Sequence, residues 1–185
     1  DHLLAAAVSF GKNAVGVAIR PYETYRRIVD CGSAWELVYI VILTYFLLIS
    51  PVKVGAAIVT YGLVVLAVWI VGKRIGGHGT FTGDACGWGY TLLPTVIWFF
   101  MTSSLFFILP PPRTTSTAGI VFSGLFLVFS VTLLLWKLTL GYLTLRFGLK
   151  LDLFRILVVV GVVGPIVGVW SWGMYRLGIF KVPFL

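Results

Sequence analysis

Long apolar segments dominate this chain, and their length restricts the fold more than any other feature. The segments 54–72 and 88–109 carry no charged residue, and three others carry only a few charges close to one end. An α-helix needs about 20 apolar residues, within a range of about 17–25, to cross the hydrocarbon core of a bilayer. We therefore predict five transmembrane helices, at 34–50, 54–72, 81–109, 118–141 and 151–175.

The composition indicates the same class of protein. Hydrophobic residues make up 59% of the chain and charged residues 11%, and the mean hydropathy is +1.04. Soluble domains contain roughly 25% charged residues, so most of this surface cannot face water. The predicted fold is an all-α polytopic integral membrane protein, with one five-helix transmembrane domain over residues 34–177.

The basic residues are distributed unevenly between the two sides that this topology defines. Nine lie on one side and four on the other. Cytoplasmic loops are enriched in lysine and arginine, so we predict a cytoplasmic N-terminus and an external C-terminus in the cell's inner or plasma membrane. The cytoplasmic set is Lys12, Arg20, Arg26, Arg27, Lys73, Arg74, Arg146, Lys150 and Arg155. The external set is Lys53, Arg113, Arg176 and Lys181.

The formal net charge of +8 follows from this asymmetry and requires no nucleic acid. Basic residues at the inner face interact with anionic lipid headgroups, at about 1 kcal/mol each near the surface. We therefore expect anionic inner-leaflet lipids among the partners. Cys31 and Cys86 both fall on the predicted cytoplasmic side, where structural disulfides are rare.

Residues 1–31 are predicted to form one or two interfacial amphipathic helices before the first span. In the stretch "RPYETYRRIVDC", apolar side chains fall on one face at three- and four-residue spacing and charged side chains on the other. The apolar set is Tyr22, Tyr25, Ile28 and Val29. Glu23 and Arg27, like Arg26 and Asp30, are four residues apart and can form ion pairs. Such a helix lies in the headgroup plane, and Glu23, Arg26 and Arg27 are candidate contacts to headgroups or to a membrane or cytosolic protein partner.

The stretch 76–90, "GGHGTFTGDACGWGY", lies between two apolar segments and does not fit the common glycine-rich motifs. A P-loop requires G-x-x-x-x-G-K-[ST], but Gly72-Lys73 is followed by Arg74 and not by serine or threonine. A dinucleotide-binding fingerprint must join a strand to a helix, and no predicted strand precedes this stretch. His78, Asp84 and Cys86 lack the paired spacing of metal ligands, so we predict no metal and no cofactor.

A four-residue spacing provides another interpretation of this stretch. Gly79, Gly83 and Gly87 place small side chains on one helix face, which lets helices approach closely within a membrane. We expect the third helix to begin near residue 81, with Thr80 or Thr82 as its N-cap and Asp84 in the first turn. A pocket formed by His78 and Asp84 is the functional alternative. Phe81, Trp88 and Tyr90 are predicted interfacial anchors.

Further candidates lie outside this stretch. Lys73 and Arg74 are predicted headgroup or partner contacts at the end of the second span. Gly161, Gly164 and Gly168 form a second small-residue face in the fifth span, and we expect a homodimer through a glycine face. Lys137 is expected to extend toward the inner membrane interface.

The sequence resembles the Yip1 domain family, particularly its compact bacterial and archaeal members. A "P-x-E-x-[FY]-x-x-I" pattern precedes the first span, and "GGHGTF" and "GYTLLP" follow two spans later. The first pattern is Pro21, Glu23, Tyr25 and Ile28, and the others contribute Gly76, Gly77, Gly79, Phe81, Gly89, Tyr90 and Pro94. The five predicted spans and the predicted cytoplasmic N-terminus add to this resemblance. It does not imply the Rab GTPase binding of eukaryotic members, since no "DLYGP"-type signature precedes the first span.

These features favour a non-enzymatic protein that organises membrane or partner proteins in a trafficking-like or membrane-shaping role. The chain has six carboxylates and no recognisable catalytic arrangement. The alternative is a small transporter or channel for an ion, a small solute or a lipid. That alternative draws on Pro94 and Pro165, because interrupted helices are common in transporters.

Overall fold

The structure is a computed structural model that describes residues 2–31, 33, 35–48, 51–108 and 116–179. The described part of the chain is helical and has no strand, which confirms the all-α prediction. In these ranges the α-helices are α1 (His2–Ile19), α2 (Pro21–Cys31), α3 (Trp35–Leu48), α4 (Pro51–Arg74), α5 (Phe81–Tyr90), α6 (Leu93–Ile108), α7 (Thr117–Leu143) and α8 (Leu153–Arg176). A π-helical segment, Thr144–Gly148, extends α7 and is called the π-segment below.

Within the described residues, three helical stretches are long and apolar enough to cross a membrane. They are Pro51–Arg74, Thr117–Gly148 and Leu153–Arg176, with mean hydropathies of 2.4, 2.4 and 2.3. Only 17%, 11% and 17% of their respective 18-residue apolar windows is buried inside the protein. An apolar surface of this kind is stable only in an apolar solvent, so these helices are those of a membrane protein.

The third predicted helix differs from the prediction. Instead of one continuous helix over 81–109, the chain forms α5 and α6, separated by a turn at Thr91 and Leu92. Pro94 provides the reason. Inside a continuous helix it would lack the N–H for the Tyr90 carbonyl and would clash with it. In the first turn of α6 a backbone N–H would have no partner within the helix, so proline is tolerated there. Residue 109, the predicted end, lies outside the described residues.

Side-chain hydrogen bonds define how the long helices run relative to one another. Trp170 Nε1 donates to Thr60 Oγ1 at 2.9 Å, and Arg155 Nη1 donates to the Gly76 carbonyl at 3.3 Å. As the numbering rises in α8 it falls in α4, so these helices are antiparallel.

The same reasoning applies to α6 and α7. Trp98 Nε1 donates to Ser130 Oγ at 2.9 Å, and Lys137 Nζ donates to Thr95 Oγ1 at 2.9 Å. These helices are therefore also antiparallel. Lys137 is half-buried, and its ammonium bonds to Thr95 near the start of α6; its position relative to the headgroups stays a prediction.

The C-terminal ends of α4 and α7 lie at the same end of the molecule. The backbone N–H of His78 donates to the Leu149 carbonyl at 3.0 Å, and Gly72 lies against the Leu149 side chain. The start of α8 reaches the same place through Arg155 and Gly76. We call this end, defined by Gly72, Gly76, His78 and Leu149, the basic end.

Candidate functional site: the buried polar centre around α5

The short helix α5 lies at the centre of the basic end. It packs against α2, α3, α4, α7 and the π-segment. Its backbone begins where the sequence predicted, because Thr80 is the N-cap and its hydroxyl accepts a hydrogen bond from Gly83 N at 3.1 Å. Asp84 lies in the first turn, as expected.

The glycines of α5 and its preceding loop allow close backbone approach. A Cβ on Gly79 would lie 1.5 Å from the Gly148 carbonyl oxygen of the π-segment. A Cβ on Gly83 would lie 2.9 Å from the Val29 carbonyl oxygen in α2, and one on Gly87 would lie 2.7 Å from Thr144 Cγ2. This small-residue face is therefore covered by the same chain, and a homodimer would need another surface.

The second small-residue face is open within the chain. A Cβ on Gly161, Gly164 or Gly168 would meet no atom within 4 Å. Gly161 and Gly164 are exposed on α8, and Gly168 is partly exposed. Their predicted role in helix packing stays a prediction about a second chain.

A buried hydrogen-bond chain links four helices at this end. Glu36 in α3 accepts hydrogen bonds from the Tyr90 hydroxyl in α5 and from Asn13 Nδ2 in α1, the latter at 3.1 Å. Asn13 Oδ1 in turn accepts from Arg27 Nη2 in α2 at 3.2 Å. Asn13, Glu36 and Tyr90 are 7%, 2% and 0% exposed. The chain therefore leads from an exposed arginine to a buried carboxylate.

Sequence reasoning missed this network. Tyr90 was predicted to be an interfacial anchor, and that prediction is wrong because the side chain is fully buried. A signal was present in Glu36, the only charged residue in its apolar segment. A carboxylate in such a segment requires a hydrogen-bond partner, but its spacing to Asn13 and Tyr90 does not identify those partners.

Two further tyrosines bind the backbone of α5. The Tyr25 hydroxyl donates to the Gly87 carbonyl at 3.2 Å, and the Tyr61 hydroxyl donates to the Ala85 carbonyl. The Gly87 carbonyl needs such a donor because α5 ends at Tyr90 and Thr91 N bonds to Trp88 O instead. A carbonyl at a helix end is otherwise unpaired. Burial raises the pKa of the Tyr25 hydroxyl well above its ordinary value.

Asp84 is the most unusual polar group in this centre. It is 0% exposed, and neither carboxylate oxygen has a hydrogen-bond partner among the described residues. The indole nitrogens of Trp69 and Trp88 are likewise buried without a partner there. Since α5 lies outside the three candidate spans, the surroundings of Asp84 are those of the protein interior. Burial raises the pKa of Asp84 to about 7, and the Trp88 indole lowers it by a smaller amount.

His78 and Asp84 occupy different environments. The His78 side chain is exposed, whereas Asp84 is buried. Within the described residues, no group of three His, Cys, Asp or Glu side chains is arranged to hold a metal ion. The chemistry available in the interior is therefore hydrogen bonding by Glu36 and proton binding by Asp84.

The helix α2 carries the predicted charged face on its outer side. Tyr25 and Ile28 are 0% and 1% exposed, so the apolar face packs on α5, the π-segment and α7 of the same chain and not on lipid. Tyr22 departs from that face, since it is 60% exposed with its ring edge-on to Phe147.

The five candidate contact residues on α2 and α4 are exposed. They are Glu23, Arg26, Arg27, Lys73 and Arg74. Glu23 pairs with Arg20 at 3.6 Å and not with Arg27. Lys73 and Arg74 occupy the last turn of α4, where the helix dipole favours positive charge.

Fold and interior together define a helical membrane protein with a tightly packed, glycine-rich basic end. We found no family model, curated protein or solved structure that matches this chain. The resemblance to the Yip1 domain family therefore rests on the sequence motifs alone.

Proposed function

We propose that the protein is a non-enzymatic, five-span membrane protein that organises partner proteins and lipids around the charged outer face of α2. The proposal includes membership of the Yip1-like proteins that the motifs indicate. In its favour, the two motif regions meet in space, since the Tyr25 hydroxyl of the first bonds to the Gly87 carbonyl beside the second.

Helix directions support a crossing by α6. The candidate spans α4 and α7 both end at the basic end, as the His78–Leu149 hydrogen bond indicates. The chain must therefore return to the opposite end between them. The antiparallel pairing of α6 with α7, through Thr95 and Lys137, gives it that direction.

A similar argument supports a crossing by α3. Glu36 near its start is bonded to Tyr90 at the basic end, and α4 ends at that same end. Only residues 49 and 50 separate the end of α3 from the start of α4, so α3 must run to the opposite end. The described part of α3 has 14 residues and α6 has 16. At about 1.5 Å per residue, these helices are about 21 and 24 Å long.

The single observation that carries the functional proposal is the attachment of α2. Its inner face is fastened by Tyr25 and Ile28, while Glu23, Arg26 and Arg27 are exposed. A rigid helix that presents charges in a fixed pattern suits electrostatic recognition. Neither an enzyme nor a helix that only anchors to lipid requires α2 to combine a buried inner face with an exposed charged face.

Photo-crosslinking in native membranes tests this proposal. A photoreactive residue at Arg26 should give discrete crosslinked protein species that disappear when Glu23→Arg is added. The matched control is the same residue at Asp152, which is also exposed at the basic end. Equal crosslinking patterns at positions 26 and 152 would contradict a specific α2 surface.

Transport is the second candidate, favoured by the unpartnered buried carboxylate of Asp84 and by Lys137 within a candidate span. Purified protein in liposomes with an internal pH dye tests it. Proton movement that is lost in Asp84→Asn and Lys137→Met would favour a transporter over an organising role.

A further inference from the structure

An open groove lies between the first two helices, α1 and α2. It encloses about 340 Å³, which is within the range of small-molecule sites, about 300–1,000 Å³. Its floor is formed where the helices touch, since a Cβ on Gly16 would lie 2.6 Å from Thr24 Oγ1. The groove is therefore shaped by helix packing and not by a loop.

The lining of the groove is positively charged. Lys12, Arg20 and Arg27 contribute three cations against the one carboxylate of Glu23, which is already paired with Arg20 at 3.6 Å. Lys12 and Arg27 therefore remain as an excess of two positive charges over the groove. This balance is complementary to a phosphate group, which carries one or two negative charges near neutral pH.

Arg27 is held in position for this role. Its Nη2 donates to Asn13 Oδ1 at 3.2 Å, and Asn13 is fixed by its own bond to buried Glu36. The remaining guanidinium donors are free to meet an anion in the planar geometry that suits phosphate. An arginine fixed in this way loses less conformational entropy on binding.

The groove also has an apolar rim. Val15 and Ile19 line it and are 60% and 71% exposed. None of the residues that line the groove is aromatic, so a nucleotide base would find no stacking partner. Cations beside exposed aliphatic side chains match a phosphate joined to an acyl chain.

We infer that this groove is a binding site for the phosphate of an anionic phospholipid, with Lys12 and Arg27 as the principal contacts. Val15 and Ile19 then lie against the upper part of the acyl chains. The inference rests on the proposed function in one respect, since it takes the basic end to lie at the membrane surface. It concerns the groove between α1 and α2, whereas the crosslinking test of partner recognition uses Arg26, which is not among the groove-lining residues.

The full chain in phosphatidylcholine nanodiscs with a small fraction of fluorescent phosphatidic acid tests the inference. We expect saturable binding that falls about fivefold in each of Lys12→Ala and Arg27→Gln, from the contribution of one cation near an anionic surface. The matched controls, Lys150→Gln and Arg176→Gln, remove exposed cations outside the groove and should leave binding unchanged. Elution volume and melting temperature establish that each variant is folded.

A second groove variant keeps the test decisive if Arg27→Gln fails to fold. Val15→Ser alters only the exposed rim, and we expect it to weaken phosphatidic acid binding without changing displacement by inorganic phosphate. Equal losses in all four charge variants would overturn the inference in favour of diffuse surface charge. The inference would also be overturned if inorganic phosphate displaced the fluorescent lipid as effectively as unlabelled phosphatidic acid does. The groove would then bind a soluble phosphate compound. Neither result affects the crosslinking at position 26, so the two proposals fail separately.

Discussion

The Tyr90 hydroxyl in α5 donates a hydrogen bond to the carboxylate of Glu36 in α3, 54 positions away, and both side chains are buried. This contact joins the central helix of the basic end to a helix that we propose to cross the membrane. It also connects, through Asn13, to Arg27 in the groove between α1 and α2.

Removing the hydroxyl of Tyr90 should destabilise the protein. In Tyr90→Phe the buried carboxylate of Glu36 loses a donor, and we expect a loss of about 1.5–3 kcal/mol in unfolding free energy, the usual value for a hydrogen bond to a charged group. Denaturation in detergent, followed by tryptophan fluorescence, measures it.

The control for this substitution is Tyr22→Phe, since Tyr22 is 60% exposed and keeps its ring contact with Phe147. We expect it to change stability by less than about 0.5 kcal/mol. A double-mutant cycle with Glu36→Gln should give a coupling energy between positions 36 and 90. Additive losses would show that the two side chains do not interact.

Asp84 should make the protein less stable as the pH rises. Its pKa is raised from 3.8 to about 7 in the folded protein, so the folded state binds the proton more tightly than the unfolded state. The resulting stability is fully present below about pH 4 and is lost as the pH rises toward 7, with a total of about 4 kcal/mol as an upper estimate. Cys86 beside it stays neutral in this range, because burial raises its pKa to about 11.

Melting temperatures between pH 5 and pH 8 test this dependence. Asp84→Asn should be nearly independent of pH and more stable than the natural chain at pH 8. Asp152→Asn is the matched control, since the Asp152 side chain is 80% exposed, and it should keep the pH dependence of the natural chain. An unchanged pH profile in Asp84→Asn would assign the dependence to another group.

A methyl group at position 79 should disrupt the basic end. In Gly79→Ala the added Cβ would lie 1.5 Å from the Gly148 carbonyl oxygen, so the backbone must move, at a cost of about 3 kcal/mol or more. In the control Gly124→Ala the Cβ meets no atom within 4 Å. That variant should gain up to about 1 kcal/mol from helix propensity. Similar stabilities for the two variants, measured by thermal denaturation in detergent, would contradict the close packing.

The five-span topology predicts which positions are accessible from each side of the membrane. Single cysteines at Lys12 and Lys53 should label from opposite sides because α3 crosses between them. Cysteines at His78 and Thr117 should also label from opposite sides because α6 crosses. These tests use a background of Cys31→Ser and Cys86→Ser, with an impermeant thiol reagent on intact and opened cells. If both cysteines of a pair were labelled from the same side, the proposed crossing by the helix between them would be contradicted.

Several elements could be predicted from local sequence. Apolar length indicated the candidate spans, and a threonine cap at Thr80 or Thr82 with Asp84 in the first turn predicted a start near residue 81, where α5 begins. These features depend on neighbours within one or two turns of the chain. Pro94 interrupts a predicted helix for an equally local reason, although the turn at Thr91 and Leu92 was not predicted.

The partners of the polar groups depended on tertiary structure. Nothing in the local sequence distinguishes Tyr90, which is buried on Glu36, from an aromatic residue at the membrane surface. The four-residue glycine spacing indicated a close approach, and only the fold identified the π-segment and α2 as what approaches. Apolar length and helix caps are thus determined by the sequence itself, because they arise from short-range interactions and from the solvent. The hydrogen-bond chain from Arg27 to Glu36 exists only when four helices that are distant in sequence meet at one end.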